Sequence, residues 1–169
     1  MKYLLWLNAA ALSVAVALVG CASPPELSDA GLLHRVDTVM RQANPAMAVT
    51  LKLSATQVKT GDAIAAEMGT NAAGYVYLFQ MGTDGRTLTL VFPNAMDGAN
   101  YINAGASLGL PRLNWRMAAR GPAGVGHLMA VVTANPLDIM ALQASVGQGR
   151  LEVSTPYGAA MVTLRETAP

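Results

Sequence analysis

Two histidines, ten carboxylates and one cysteine are the side chains of this sequence best suited to proton transfer, metal binding or nucleophilic attack. Such chemistry needs them in company: a nucleophile beside a base, a carboxylate pair, or several ligands around one metal. The spacing offers none of these. His34 falls in a helical pattern and His127 lies between Gly126 and Leu128 in a strand pattern. Each reads as a surface or structural histidine. The carboxylates are scattered singly, without the acidic run of a calcium loop. The stretch Gly121-Pro122-Ala123-Gly124-Val125-Gly126 is glycine-rich, but it lacks the lysine of a phosphate loop and a following helix. A GxSxG nucleophile elbow is absent. The expectation is a non-enzyme with no catalytic residue, no metal and no cofactor.

Recognition is the remaining chemistry, and three arginines are its best candidates. Arg112, Arg116 and Arg120 recur at every fourth position around Trp115. On a strand, even spacing puts all three on one side, with Leu113, Trp115 and Met117 on the other. That predicts a basic strip, either a solvated strand face or a recognition surface for an acidic partner or an anionic envelope polymer, since arginine is enriched at interfaces. Asn94, Asn100 and Tyr101 are further interface candidates, because loops on a rigid scaffold often carry binding groups; the other reading is a loop pinned by its own polar side chains.

Composition bounds the partners. The 169 residues carry 11 Lys+Arg against 10 Asp+Glu, a formal net charge of +1, and they are 53% hydrophobic. A nearly neutral chain without a clustered basic face is not a nucleic-acid binder. The apolar content excludes a mostly disordered chain. A lone cysteine excludes an internal disulfide framework.

That cysteine has a context of its own. Met1 and Lys2 form a short positive segment, and an apolar run follows from Tyr3 to Val19. This is the layout of a secretory signal peptide. It ends in Leu18-Val19-Gly20-Cys21, followed by Ala22, Ser23, Pro24 and Pro25. The ending resembles the bacterial lipobox. The resemblance implies a lipid on Cys21, cleavage before it, and, with Ala22 next, sorting to the outer membrane. Two or more acyl chains make such an anchor stable. The expected organisation is a signal at 1–20, lipidated Cys21 and a tether at 21–29, a short amphipathic helix and linker at 30–45, and a domain at 46–169. At about 150 residues the processed chain is long enough for a core without staples.

The elements that position the candidates follow from periodicity. Leu32, Leu33, Val36, Val39 and Met40 recur at helical spacing after a potential N-cap at Asp29, which predicts a helix over 30–42. From Met47 the period becomes two. Strands are predicted at 47–54, 64–68, 74–81, 86–92, 107–110, 113–118, 127–133 and 157–164, with a turn or two of helix within 136–145. The 74–81 strand is apolar on both faces, Tyr75, Tyr77 and Phe79 on one and Val76 and Leu78 on the other, so it is central. Thr60-Gly61-Asp62 and Asp84-Gly85 read as turns. Many short strands between Gly, Pro and Asp turns predict a mainly β fold, a single immunoglobulin-like β-sandwich of about seven or eight strands with a short N-terminal helix.

An ordered series of motifs runs through this region. It comprises Gly61-Asp62, Gly74-Tyr75-Val76-Tyr77-Leu78-Phe79, Asp84-Gly85, Leu90-Val91-Phe92-Pro93-Asn94, Asn100-Tyr101-Ile102, Ala104-Gly105, Leu110-Pro111 and Gly121-Pro122-Ala123-Gly124. The series resembles the bacterial domain of unknown function 4384 family over about Ala46 to Pro136. Departures are Val91 inside the usual L-F-P-N and Gly121-Pro122-Ala123-Gly124 where Pro-Pro-Gly is commoner. The resemblance implies an extracytoplasmic β-domain without an established enzymatic activity.

The functional expectation is a lipid-anchored, periplasm-facing outer-membrane protein that contacts the membrane through its lipid and binds another envelope or secretion-system protein. The alternative is a glycan- or peptidoglycan-binding lipoprotein using Tyr101, Trp115 or the asparagines.

Overall fold

The two faces of one strand decide the architecture. The run from Gly74 to Met81 forms a strand in which Val76 and Leu78 enter one core while Tyr77 and Phe79 enter another, all four fully buried. A strand buried on both faces needs cover on both sides, and the chain supplies two different covers. The computed structural model describes residues 29–112 and 115–169. In chain order these form α1 (Asp29–Gln42), β1 (Val49–Leu53), β2 (Gln57–Lys59), β3 (Ala63–Ile64), β4 (Ala66–Thr70), β5 (Gly74–Met81) and β6 (Leu88–Phe92). Then come β7 (Tyr101–Ile102), β8 (Ser107–Leu110), β9 (Met117–Ala118), β10 (Gly124–Thr133), α2 (Ile139–Gly147) and β11 (Tyr157–Thr167).

The large sheet has the order β2-β11-β10-β5-β6, with β7 pairing the start of β5. Its pairings are antiparallel except β11 with β2, which run parallel. A three-stranded sheet, β1-β4-β8, covers one face, and a two-stranded piece, β3-β9, closes the side. Leu51, Met68, Leu108 and Leu110 from the small sheet meet Val76, Leu78, Leu128, Ala130 and Leu164 from the large one. This is the expected mainly β sandwich.

The opposite face of the large sheet is covered by helices. Leu32, Val36 and Val39 of α1 lie along one stripe and join Tyr77, Phe79, Met129 and Val131 in a second core. Leu142 and Val146 of α2 complete it. The Tyr157 hydroxyl donates to the Val39 carbonyl at 2.8 Å, and the Arg35 guanidinium donates to the Gly149 carbonyl at 2.8 Å. Asp138 caps α2 by accepting from the Met140 and Ala141 amides. No described helix is long and apolar enough to cross a membrane.

Several local expectations change. The described part of α1 begins at Asp29, and the residues before it lie outside the described ones. The alternating run at 64–68 divides: Ile64 pairs with Met117 in β3-β9, while β4 starts at Ala66 and pairs with β1 and β8. Of the strand expected at 113–118, Leu113 and Asn114 lie outside the described residues, and among the others only Met117–Ala118 form strand. Helix α2 reaches Gly147, beyond the turn or two expected within 136–145. Gly74 lets β5 and β10 pack closely, since a Cβ there would collide with the Thr133 carbonyl oxygen of β10.

Candidate functional site

Where β6 ends, the chain turns on Asn94. Its side-chain amide donates to the Val91 carbonyl at 3.0 Å, and its Oδ1 accepts from the Met96 and Asp97 amides at 2.9 and 3.0 Å. The backbones of Asn94 and Asp97 also bond each other in both directions. The turn carries the Asp97 carboxylate inward, where its side chain is 2% exposed. Just past β8, Arg112 meets it with two parallel bonds, Nε to Oδ2 at 2.9 Å and Nη2 to Oδ1 at 2.6 Å. Nη2 also donates to the Ala99 carbonyl, the guanidinium lies 5.3 Å from the Phe92 ring centroid, and Trp115 Nε1 donates to Oδ2 at 3.3 Å. The Arg112 bonds hold the Asp97 carboxyl below the usual carboxylate range, and Asp97 in turn raises Arg112. This paired geometry is the strong form of a charge-assisted hydrogen bond.

The three arginines therefore divide. Arg112 is an internal brace of the loops after β6 and β8. Arg116 is exposed and donates one bond to the Gly61 carbonyl at 2.8 Å. Arg120 is exposed and has no hydrogen-bond or ion-pair partner among the described residues. Arg112 and Trp115 converge on one carboxylate, whereas strand alternation put them on opposite sides. Continuous period two fails because, among the described residues, Pro111 and Arg112 follow β8 outside any strand and β9 holds only Met117 and Ala118.

Asn100 is also internal to the fold, donating to the Val76 carbonyl at 3.1 Å while its own carbonyl accepts from the Val76 amide at 2.7 Å. Tyr101 is 55% exposed and meets Tyr75 edge to face at 5.2 Å between centroids. His34 is exposed on α1. His127 Nδ1 faces the Thr163 hydroxyl at 3.3 Å, and burial holds its pKa below the ordinary histidine value. Cys21 and the signal and tether expected before α1 lie outside the described residues.

Arg116 and Arg120 share a cleft between β6 and the segment 115–120. Its volume is about 190 Å³, and Gln80, Thr89, Val91, Asn94 and Trp115 contribute to its walls. Arg120 also borders an adjoining cavity of about 200 Å³, with Gln80, Thr89, Asp84 and Glu166. The two carboxylates there already have partners. Asp84 accepts from the Arg86 and Thr87 amides and from the Thr87 hydroxyl, which draws its pKa down. Glu166, buried, accepts from the Gly121 amide at 2.7 Å. The cleft thus offers guanidinium, amide and hydroxyl groups to a ligand, a chemistry of anion and backbone recognition. A shallower cavity of about 720 Å³ lies along the β1-β4-β8 sheet, bordered by Lys52, Glu67, Ser54 and Ser107. Among the described residues no three His, Cys, Asp or Glu are grouped to hold a metal ion.

Sequence reading missed Asp97, Gln80, Thr89 and Glu166. For Asp97 a signal existed: an aspartate three positions after the turn-forming Asn94 is where such a turn brings a side chain back toward the strand end.

No curated protein matches the chain. The stretch from the first residue of β2 to the residues before α2 holds both the Asp97 brace and the cleft, and leaves α1, β1, α2 and β11 outside. It starts later than the motif series at Ala46 suggests and ends at the same Pro136. Over this stretch, residues 57–136, the chain matches the family model described as Domain of unknown function (DUF4384).

Proposed function

We propose that this protein is a non-catalytic interaction module of the cell envelope, lipidated at Cys21, held at the periplasmic side of the outer membrane, and binding another envelope or secretion-system protein. The lipobox-like Leu18-Val19-Gly20-Cys21 and the Pro-containing spacer support the anchor. The observation that carries the interaction reading is a division among polar residues. Asn94, Asp97, Asn100 and Arg112 bond to the fold's own backbone and to each other, while Arg116 and Arg120 stand exposed along an open cleft.

Glycan binding is the second reading, favoured by the exposed Tyr101 ring supported by Tyr75. Sugar faces stack on such rings. Two assays on the anchored protein separate the readings: cross-linking followed by affinity capture, and sedimentation with purified cell-wall glycan. A stoichiometric protein adduct with no saturable glycan binding supports the protein partner. Saturable glycan binding abolished by Tyr101→Ala replaces it with the second reading.

A further inference from the structure

Strand β6 is the last strand of the large sheet: among the described residues no strand pairs its outer side, and α2 packs against it. Pair alternation identifies the groups it presents. The Gly82 amide donates to the Thr87 carbonyl at 2.8 Å, so that pair is hydrogen-bonded. In antiparallel register the next pair, Met81–Leu88, points its backbone away, Gln80–Thr89 bonds, and Phe79–Leu90 points away again. Leu88 and Leu90 therefore turn their N–H and C=O groups outward, and no backbone or side-chain hydrogen bond meets them among the described residues. The Val91 carbonyl is closed by Asn94, which ends the free stretch.

The side chains flanking this edge differ by face. Leu88 and Leu90 pack into the helix-covered core, while Thr89 opens into the cleft beside Gln80, Arg116 and Arg120. We propose that the free edge of β6 takes an extended peptide segment as an added strand, with acidic side chains on the cleft face and apolar ones on the helix face. This rests on the interaction-module reading and names the partner's chemistry. Main-chain bonds to Leu88 and Leu90 give affinity, and the alternate side chains give selectivity. Charge complementarity selects the occupant. Arg120 lacks an internal partner among the described residues, Arg116 uses one donor on Gly61, and the neighbouring Asp84 and Glu166 are engaged by backbone amides. A second copy of this chain paired edge to edge would bring the arginines of both copies together on one face, which like-charge repulsion opposes.

The test uses the full chain and a blocked octapeptide alternating glutamate and valine, with a lysine–valine octapeptide as control. Amide hydrogen exchange at Leu88 and Leu90 is followed by NMR during titration. The expected result is saturable binding, exchange at both amides slowed, and affinity weakened about tenfold or more by Arg116→Glu/Arg120→Glu or by the lysine peptide. Leu90→Pro, which removes one outward N–H, is expected to weaken binding of the glutamate peptide. Unchanged exchange at Leu88 and Leu90, or binding indifferent to charge reversal, overturns the proposal. An envelope protein that cross-links through Lys52 on the small sheet, with β6 unprotected, overturns the edge site and leaves the interaction module standing. Peptide protection at β6 with no envelope partner captured overturns the module reading and leaves the edge site standing.

Discussion

Arg112 grips Asp97 through two parallel hydrogen bonds of 2.9 and 2.6 Å, and so ties the loop after β6 to the loop after β8. The carboxylate is 2% exposed and the guanidinium 32%, so the partners are unequal when separated. Arg112→Ala leaves a buried charge without its partner and should cost ~3 kcal/mol. Asp97→Asn leaves an arginine able to reach water and should cost less, about 1–2 kcal/mol. Denaturant unfolding of both single variants and the double variant checks this, with the double expected well below the sum.

The same pair sets an acid limb. Asp97 titrates below its unfolded value of about 3.9, so its contribution is complete above that pH. It is lost as pH falls through the lower folded value. Stability should therefore decline below about pH 4 in the native chain, and less steeply in Asp97→Asn. Between pH 6 and 8 the difference between the two should be constant. Thermal unfolding across pH reads this directly.

The arginines should behave as two groups. Arg116→Glu/Arg120→Glu alters exposed positions and should shift stability by no more than about 0.5 kcal/mol. Adding Arg112→Glu places a carboxylate against Asp97 and should cost several times more, ~3 kcal/mol or above. Equal stability of the double and triple variants would show that the brace is dispensable.

Anchoring should depend on one atom. Cys21→Ser removes the thiol proposed to accept the lipid, so the processed chain should leave the detergent phase while α1 and the sandwich keep their far-UV spectrum. Unchanged partitioning with normal processing would contradict lipidation.

How far these features are legible in the sequence depends on how local their causes are. Strand β5 matches the expected 74–81 and β8 the expected 107–110, because each apolar pattern lies within its own residues. The Asp84-Gly85 turn is local in the same way, with the carboxylate closing on Thr87. The parallel pairing of Gln57 with Arg165 joins residues far apart in the chain, and no local period announces it. The break between Ile64 and Ala66 is hidden because both residues are apolar and inward-facing; only their partners differ. Helix α2 is apolar nearly throughout, so its sequence does not declare which stripe docks. The brace escaped for a related reason. Even spacing of Arg112, Arg116 and Arg120 implies one face only on a continuous strand, and among the described residues of that stretch only Met117 and Ala118 form strand.

The interaction reading is tested most directly by a photoreactive side chain placed at Thr89, in the anchored protein, in its own cells. One envelope protein should cross-link there in stoichiometric yield, and the adduct should fall sharply in the Arg116→Glu/Arg120→Glu background. If illumination gives no adduct at Thr89 or at Lys52, while purified cell-wall glycan binds saturably through Tyr101, the protein is a glycan-binding module and the proposed partner does not exist.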